Sequence, residues 1–74
     1  MLNIKFKIGS RVLQLRTDAN LLQRELADKA GLHRTHLIKV ETGKRNVSIE
    51  NLQKIVGALD MSMADFFNDE MFGK

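Results

Sequence analysis

The chain has 74 residues and a formal net charge of +3, and its length suits one small domain. Because it has no cysteine, a disulfide framework and a thiolate metal site are excluded. No apolar run approaches the roughly 18 residues that span a bilayer, and no signal-peptide pattern opens the chain, so we expect a cytoplasmic protein without a membrane contact. The charge is +6 over residues 1–46 and −3 over residues 47–74, which suits an anionic polymer on one side but equally suits ordinary surface scatter.

The beginning of the chain is open to two interpretations. Apolar and polar residues alternate over residues 1–7, which is the period of a strand, but the same residues could lead into a helix. We expect a helix over about residues 5–17. Its apolar stripe has the i, i+4, i+7 spacing of a helix and consists of Ile8, Val12 and Leu15. Residues 18–20 should end this helix, because Asn20 tolerates the left-handed conformation of a helix stop.

Residues 23–43 contain two short amphipathic segments joined by a glycine. The apolar face of the first segment consists of Leu26, Ala27 and Ala30. The second segment, over about residues 34–41, repeats apolar residues at Leu37 and Val40. Gly31 stands where the first helix must stop, since glycine accepts the positive φ of so sharp a turn. A helix, a short turn with glycine and a second helix form the helix-turn-helix unit.

The solvent side of the second helix carries side chains that the core does not need. They are Arg34, Thr35, Ile38 and Lys39. Arg34 offers forked donors that match O6 and N7 of guanine, and Thr35 can donate to a base edge or contact a thymine methyl. Lys39 lies on the same side of the helix and would reach further along the major groove of DNA. Ile38 could touch thymine methyl groups or fill the edge of the core, and the pattern leaves both interpretations open.

Two further helices are predicted. Ser48 caps the fourth helix, and Glu50 favours its first turn. Its apolar stripe consists of Leu52, Ile55, Val56 and Leu59. Ser62 caps a fifth helix over residues 62–72, which carries more apolar surface than a short terminal helix needs. The side chains concerned are Phe66, Phe67, Met71 and Phe72. One or two can close the core of the monomer, but all four are candidates for a homodimer interface that stabilises this small domain.

The run Gln-x-x-Leu-Ala-x-x-Ala-Gly-Leu-x-Arg-Thr-x-Leu-x-x-Val-Glu-x-Gly-Lys-Arg-Asn, from Gln23 to Asn46, resembles the lambda-repressor/Cro-like helix-turn-helix regulators. Its later half is most like the controller proteins of restriction–modification systems. The resemblance covers about residues 8–67 and implies an all-α, compact bundle of five short helices. It also implies a bacterial or phage-encoded homodimer that binds an inverted-repeat operator in double-stranded DNA, regulates its own gene and activates an endonuclease gene. An activator would also contact RNA polymerase.

The resemblance further implies a role for individual residues. Base contacts are expected from Arg34, Thr35, Lys39 and Ile38. Phosphate contacts are expected from Arg11, Gln23, His36, Lys44, Arg45 and Asn46, although a solvated charge cluster without a role would look the same. An ion pair between Arg16 and Glu41 should tie the first helix to the helix over residues 34–41, which is the recognition helix of the family. The chain departs from the family at Leu22, where relatives have a capping Ser or Thr, and this costs about 1 kcal/mol unless burial of Leu21 and Leu22 offsets it.

Neither a metal, another cofactor nor an enzymatic activity is expected. His33 and His36 are spaced i, i+3, but no further ligand stands near them. Paired carboxylates, an activated nucleophile and a phosphate-cradling glycine loop are missing from the pattern. If either histidine titrates close to 6.5, DNA affinity should rise modestly at lower pH. The alternatives are a phage-type repressor, which differs in genetic context, and an antitoxin or other protein-interaction module with the same fold.

Overall fold

The computed structural model describes residues 3–73, which contain five α-helices and one short 3₁₀ turn joined by loops. The helices are α1 (Ile4–Asp18), α2 (Gln23–Ala30), α3 (Arg34–Glu41), α4 (Ile49–Ala58) and α5 (Met63–Phe67), and the 3₁₀ turn is Glu70–Phe72. No strand occurs within these residues, so the predicted all-α fold of five helices is confirmed. No helix among them is long and apolar enough to span a membrane.

The start of α1 removes the strand interpretation for the described residues. Asn3 caps the helix by accepting a hydrogen bond from the backbone N–H of Phe6 at 3.0 Å, and the helix begins at Ile4. The alternating pattern is therefore the first turn of a helix; its opening residues, Met1 and Leu2, lie outside the described residues. The predicted end of the helix is confirmed, since α1 stops at Asp18 and Asn20 has a φ of 59°.

The turn between α2 and α3 follows the predicted geometry. Gly31 has a φ of 71°, and the backbone N–H of Leu32 donates to the Ala27 carbonyl at 2.9 Å, which satisfies the last turn of α2. At the other end of α2, Leu22 is 54% exposed, so its burial does not replace the missing cap. Instead, the N–H of Leu22 donates to Glu25 Oε1 at 2.8 Å, which is the half of a capping box that needs no polar side chain at the cap.

The core lies between α2 and α4, with α1, α3 and α5 closing it. Its buried members are Val12, Leu26, Ala27, Ala30, Leu37, Leu52, Ile55, Val56 and Phe66. These residues come from each of the apolar stripes that the sequence predicts, and Leu15, Leu21 and Leu59 pack against them while partly exposed. Because α2 and α3 both contribute to the same core, the angle between the two helices is set by side-chain packing as well as by the turn.

A close approach of backbones holds α1 against the end of α3. Gly9 is buried, and a methyl group in its place would overlap the Val40 carbonyl oxygen and lie 2.9 Å from that of Glu41. Only glycine therefore allows α1 to contact the last turn of α3 at this distance.

The C-terminal segment differs from the predicted single helix over residues 62–72. Ser62 caps α5 as expected, accepting from the N–H of Asp65 at 3.0 Å, but α5 ends at Phe67. The chain then re-enters helical geometry as the 3₁₀ turn, whose cap is Asp69. The assignment of Phe66 to a dimer interface is wrong, because its side chain is 0% exposed and belongs to the core.

Candidate DNA-binding surface

The outer face of α3 presents the side chains predicted to contact bases. Arg34, Thr35 and Lys39 are exposed, whereas Leu37 and Val40 on the opposite face are 0% and 1% exposed. Ile38 is half-buried and is not among the apolar side chains of the described residues that pack against the core cluster. The face of α3 that points away from the core is therefore a polar and cationic surface with one apolar side chain.

A buried ion pair orients α3 relative to α1 and α2. Arg16 Nε donates to Glu41 Oε2 at 2.6 Å and Arg16 Nη2 to Glu41 Oε1 at 3.2 Å, so the guanidinium grips the carboxylate with two bonds. The third nitrogen of Arg16 donates to the Leu21 carbonyl at 2.8 Å, just before α2. One side chain thus joins α1, the entry to α2 and the last residue of α3.

Gln23 is the first residue of α2 and shares this network. Its Nε2 donates to Glu41 Oε1 at 3.0 Å, which holds the side chain beside the recognition helix. A shallow depression next to it is lined by Leu22, Gln23, Arg24 and Arg34. The sequence analysis did not single out Arg24, although the sequence shows a cation directly after Gln23; the structure shows that it is exposed.

The loop after α3 presents three exposed polar side chains. They are Lys44, Arg45 and Asn46. Arg45 folds back on the recognition helix, with its Nη1 3.2 Å from Nδ1 of His36. The loop therefore extends the cationic surface of α3 and is linked to that helix through a histidine.

His36 does not fit the predicted phosphate contact in this structure. Its Nδ1 faces Arg45, and its Nε2 is buried and forms no hydrogen bond with any residue between 3 and 73. Burial, followed by the charges of Arg45 and His33, lowers the pKa of His36 below its ordinary value of 6.5. The predicted rise in DNA affinity at lower pH assumed a titration close to 6.5, whereas the pKa of His36 is displaced below that value.

Arg11 is the clearest disagreement between the sequence and the structure. Its side chain was expected to hold a phosphate, but Arg11 is only 9% exposed and points into the C-terminal segment. Nε donates to the Phe66 carbonyl at 2.8 Å, Nη2 to the Asp65 carbonyl at 3.0 Å, and Nη1 pairs with Asp69 at 3.2 Å. All three guanidinium nitrogens are thus engaged inside the protein, so the phosphate contact is wrong.

Within residues 3–73 there is no group of three or more His, Asp or Glu side chains that could hold a metal ion. The site is instead a set of exposed cationic side chains. Arg24, Arg34, Lys39, Lys44 and Arg45 are its exposed cations, and they come from α2, α3 and the following loop. Such a set of cations suits a ligand with many anionic groups.

The profile of the helix-turn-helix family matches residues 12–66, which run from α1 into α5. The chain therefore belongs to the helix-turn-helix family.

Within this family it is similar to the control protein C.BamHI of Bacillus amyloliquefaciens, with 38% identity over 72 residues that cover 96% of this chain and 89% of the relative. Among solved structures, the restriction–modification controller protein C.AhdI of Aeromonas hydrophila superposes with a TM-score of 0.82 and 41% identity, over 85% of this chain and 96% of that one. The controller protein C.Esp1396I, solved as a tetramer with its natural 35-base-pair operator, has a TM-score of 0.86 and 29% identity, over 97% and 92% of the two chains.

Proposed function

We propose that the protein is a transcriptional regulator that binds a specific sequence of double-stranded DNA through α3. The observation that carries the proposal is the outer face of α3, which exposes Arg34, Thr35 and Lys39 while Leu37 and Val40 anchor the helix in the core. A helix held in this way can enter the major groove as a rigid body, because its position is set by the core and by the ion pair between Arg16 and Glu41.

Base recognition is assigned to the outer face of α3. Arg34, in the first turn, would donate to O6 and N7 of a guanine, since the N-terminal residues of a recognition helix lie closest to the base edges. Thr35 would contact a neighbouring base and Lys39 a base further along the groove. Ile38 would pack against a thymine methyl, which is consistent with its partial exposure outside the core cluster.

Phosphate contacts are assigned to both ends of the helix-turn-helix. Gln23 and Arg24 lie at the N-terminus of α2, where free backbone N–H groups also favour an anion. Lys44, Arg45 and Asn46 lie on the loop after α3 and are exposed. These contacts would add affinity for every DNA sequence and would fix the register of α3 in the groove.

A homodimer is proposed through the C-terminal segment. Phe67, Met71 and Phe72 are half-buried, and the Phe67 and Phe72 rings stack edge-on with centroids 4.9 Å apart. Part of this aromatic surface is left for a partner, whereas Phe66 is not. A two-fold dimer would present two α3 helices to half-sites about 34 Å, or one helical turn, apart on an inverted repeat.

The biological role proposed is that of a restriction–modification controller. Similarity to C.BamHI and C.AhdI over most of both chains supports this role. Such a protein would regulate its own gene and activate the endonuclease gene, and as an activator it would contact RNA polymerase. A phage-type repressor would use the same surface and differ only in the genes beside its operator.

The test compares Arg34→Ala, Lys44→Ala and the control Lys54→Ala, an exposed lysine on α4 in the acidic half of the chain. In equilibrium binding to operator DNA, Arg34→Ala should lose about 1–3 kcal/mol and relax one base position. Lys44→Ala should weaken binding to all sequences alike and reduce the salt slope by about 1, and Lys54→Ala should change neither. Equal effects of all three variants would contradict the proposal and favour a protein-interaction module.

A further inference from the structure

The chemistry of the two side chains determines which of them donates the hydrogen bond between His36 and Arg45. A guanidinium has donors only, so Nδ1 of His36 must be the acceptor at 3.2 Å. The imidazole is then neutral and carries its hydrogen on Nε2. Nε2 is buried and unpaired among residues 3–73, so this tautomer has a cost, yet the other tautomer would aim an N–H at a cation.

We propose that His36 is a positioning residue whose neutral imidazole holds Arg45 of the loop against the recognition helix in the orientation that binds DNA. The inference rests on the proposed function and goes beyond it, because it gives His36, to which the proposed function assigns no contact, a role that acts through Arg45. Arg45 is exposed and has a long side chain, so without an anchor it would lose several rotamers on binding. The bond to His36 removes part of that cost in the free protein.

Protonation of His36 would release Arg45. A hydrogen on Nδ1 leaves no acceptor for the guanidinium and sets two cations side by side. The titratable and charged groups that act on the ring are Arg45 from the loop and His33 from the cap of α3, and both oppose its protonation. DNA affinity should therefore contain a component that falls as the pH is lowered, opposite to the rise that a direct phosphate contact of a protonated histidine would give.

The experiment uses two substitutions of His36 that separate the two ring nitrogens. His36→Asn places an amide oxygen where Nδ1 stands and cannot titrate, whereas His36→Gln places its polar atoms near Nε2. In operator binding at pH 7.5, His36→Asn should match the wild type and His36→Gln should bind about 2- to 10-fold more weakly. Combined with Arg45→Ala, the substitution His36→Gln should cause no further loss, since the interaction is already absent.

The pH profile separates positioning from a direct contact. As the pH is lowered from 7.5 to 5.5, the DNA affinity of the wild type should fall relative to that of His36→Asn. A gain of affinity in the wild type relative to His36→Asn, or independent losses from His36→Gln and Arg45→Ala, would overturn the proposal.

A measurement without DNA keeps the inference separate from the proposed function. Long-range ¹H–¹⁵N spectra of the free protein at pH 7.5 should show His36 with its hydrogen on Nε2, and Arg45→Ala should raise the pKa of His36. A hydrogen on Nδ1, or a pKa unmoved by Arg45→Ala, would refute the inference. If neither the wild type nor any variant binds DNA, the proposed function is contradicted, but these spectra still test the interaction between His36 and Arg45.

Discussion

The charged side chains Arg11 and Glu41 are buried, and the structure satisfies both with several partners. Glu41 accepts from two nitrogens of Arg16 and from Gln23, and Arg11 donates to two carbonyls and a carboxylate. Burial of a charge is costly unless it is paired and hydrogen-bonded. Each of these residues therefore holds the elements that carry its partners in a fixed position. Their value lies in the orientation of helices more than in net stability.

The lowered pKa of His36 predicts a dependence of stability on pH. The unfolded chain protonates this histidine near 6.5, whereas the folded protein protonates it at a lower pH. Between the two values the unfolded state binds more protons, so the contribution to the free energy of unfolding is complete above pH 6.5 and is lost as the pH falls through that window. Urea titrations from pH 7.5 to 5.5 should show the fall, and His36→Asn should lessen it; an equal fall in both proteins would contradict this assignment.

At the scale of elements, the contact between α1 and α3 depends on Gly9. Gly9→Ala should lower the free energy of unfolding by about 1–3 kcal/mol, because the added methyl meets the backbone oxygens of Val40 and Glu41, which cannot move aside like a side chain. Gly57→Ala is the matched control: Gly57 lies inside α4, the added methyl group would meet no neighbouring atom within 4 Å, and the substitution should raise the free energy of unfolding by about 0.5–1 kcal/mol. Urea unfolding of both variants measures the difference, and equal responses would show that the close approach of α1 and α3 has no energetic role.

The hydrogen bonds of Arg11 between α1 and the C-terminal segment lead to a second prediction. Arg11→Ala should lower the free energy of unfolding by about 1–3 kcal/mol, because it leaves the Phe66 and Asp65 carbonyls and Asp69 without their donor. It should leave the slope of DNA affinity against salt unchanged, since Arg11 touches no phosphate. A slope reduced by about 1, without loss of stability, would restore the phosphate contact that the sequence suggested.

The elements that could be predicted from the sequence are those set by neighbouring residues. Ser48 and Ser62 accept from N–H groups three residues further on, and Gly31 needs only its own φ, so these helix boundaries were visible in the chain. The ion pair of Arg16 with Glu41 came from family resemblance.

Arg11 and Phe66 were misplaced because each is buried by contacts with parts of the chain that are distant in sequence. Arg11 donates to a carbonyl 55 residues away, and no pattern in the chain distinguishes that from an exposed cation. Phe66 is buried because α5 packs on residues from the other helices, and the amphipathic pattern of residues 62–72 does not show which of its aromatic side chains faces that core.

At the scale of the whole molecule, the asymmetry of charge matches the arrangement of the helices. The exposed cations proposed to meet DNA lie on α2, α3 and the next loop, within the half of the chain that has a charge of +6. The proposed dimer surface lies in the half with a charge of −3. DNA would therefore attract α2, α3 and the next loop, and none of the cations proposed to bind it belongs to the proposed dimer surface.

Selection from a pool of random duplex DNA at near-physiological salt tests the central claim most directly. A dimer that reads bases through α3 should enrich a two-fold symmetric site whose half-sites are about 10 base pairs apart from centre to centre. The same selection with Arg34→Ala should lose information at one position in each half-site. Retention that is weak, sensitive to salt and without a consensus would contradict sequence-specific regulation, and would mean that the cationic surface supplies electrostatic attraction alone.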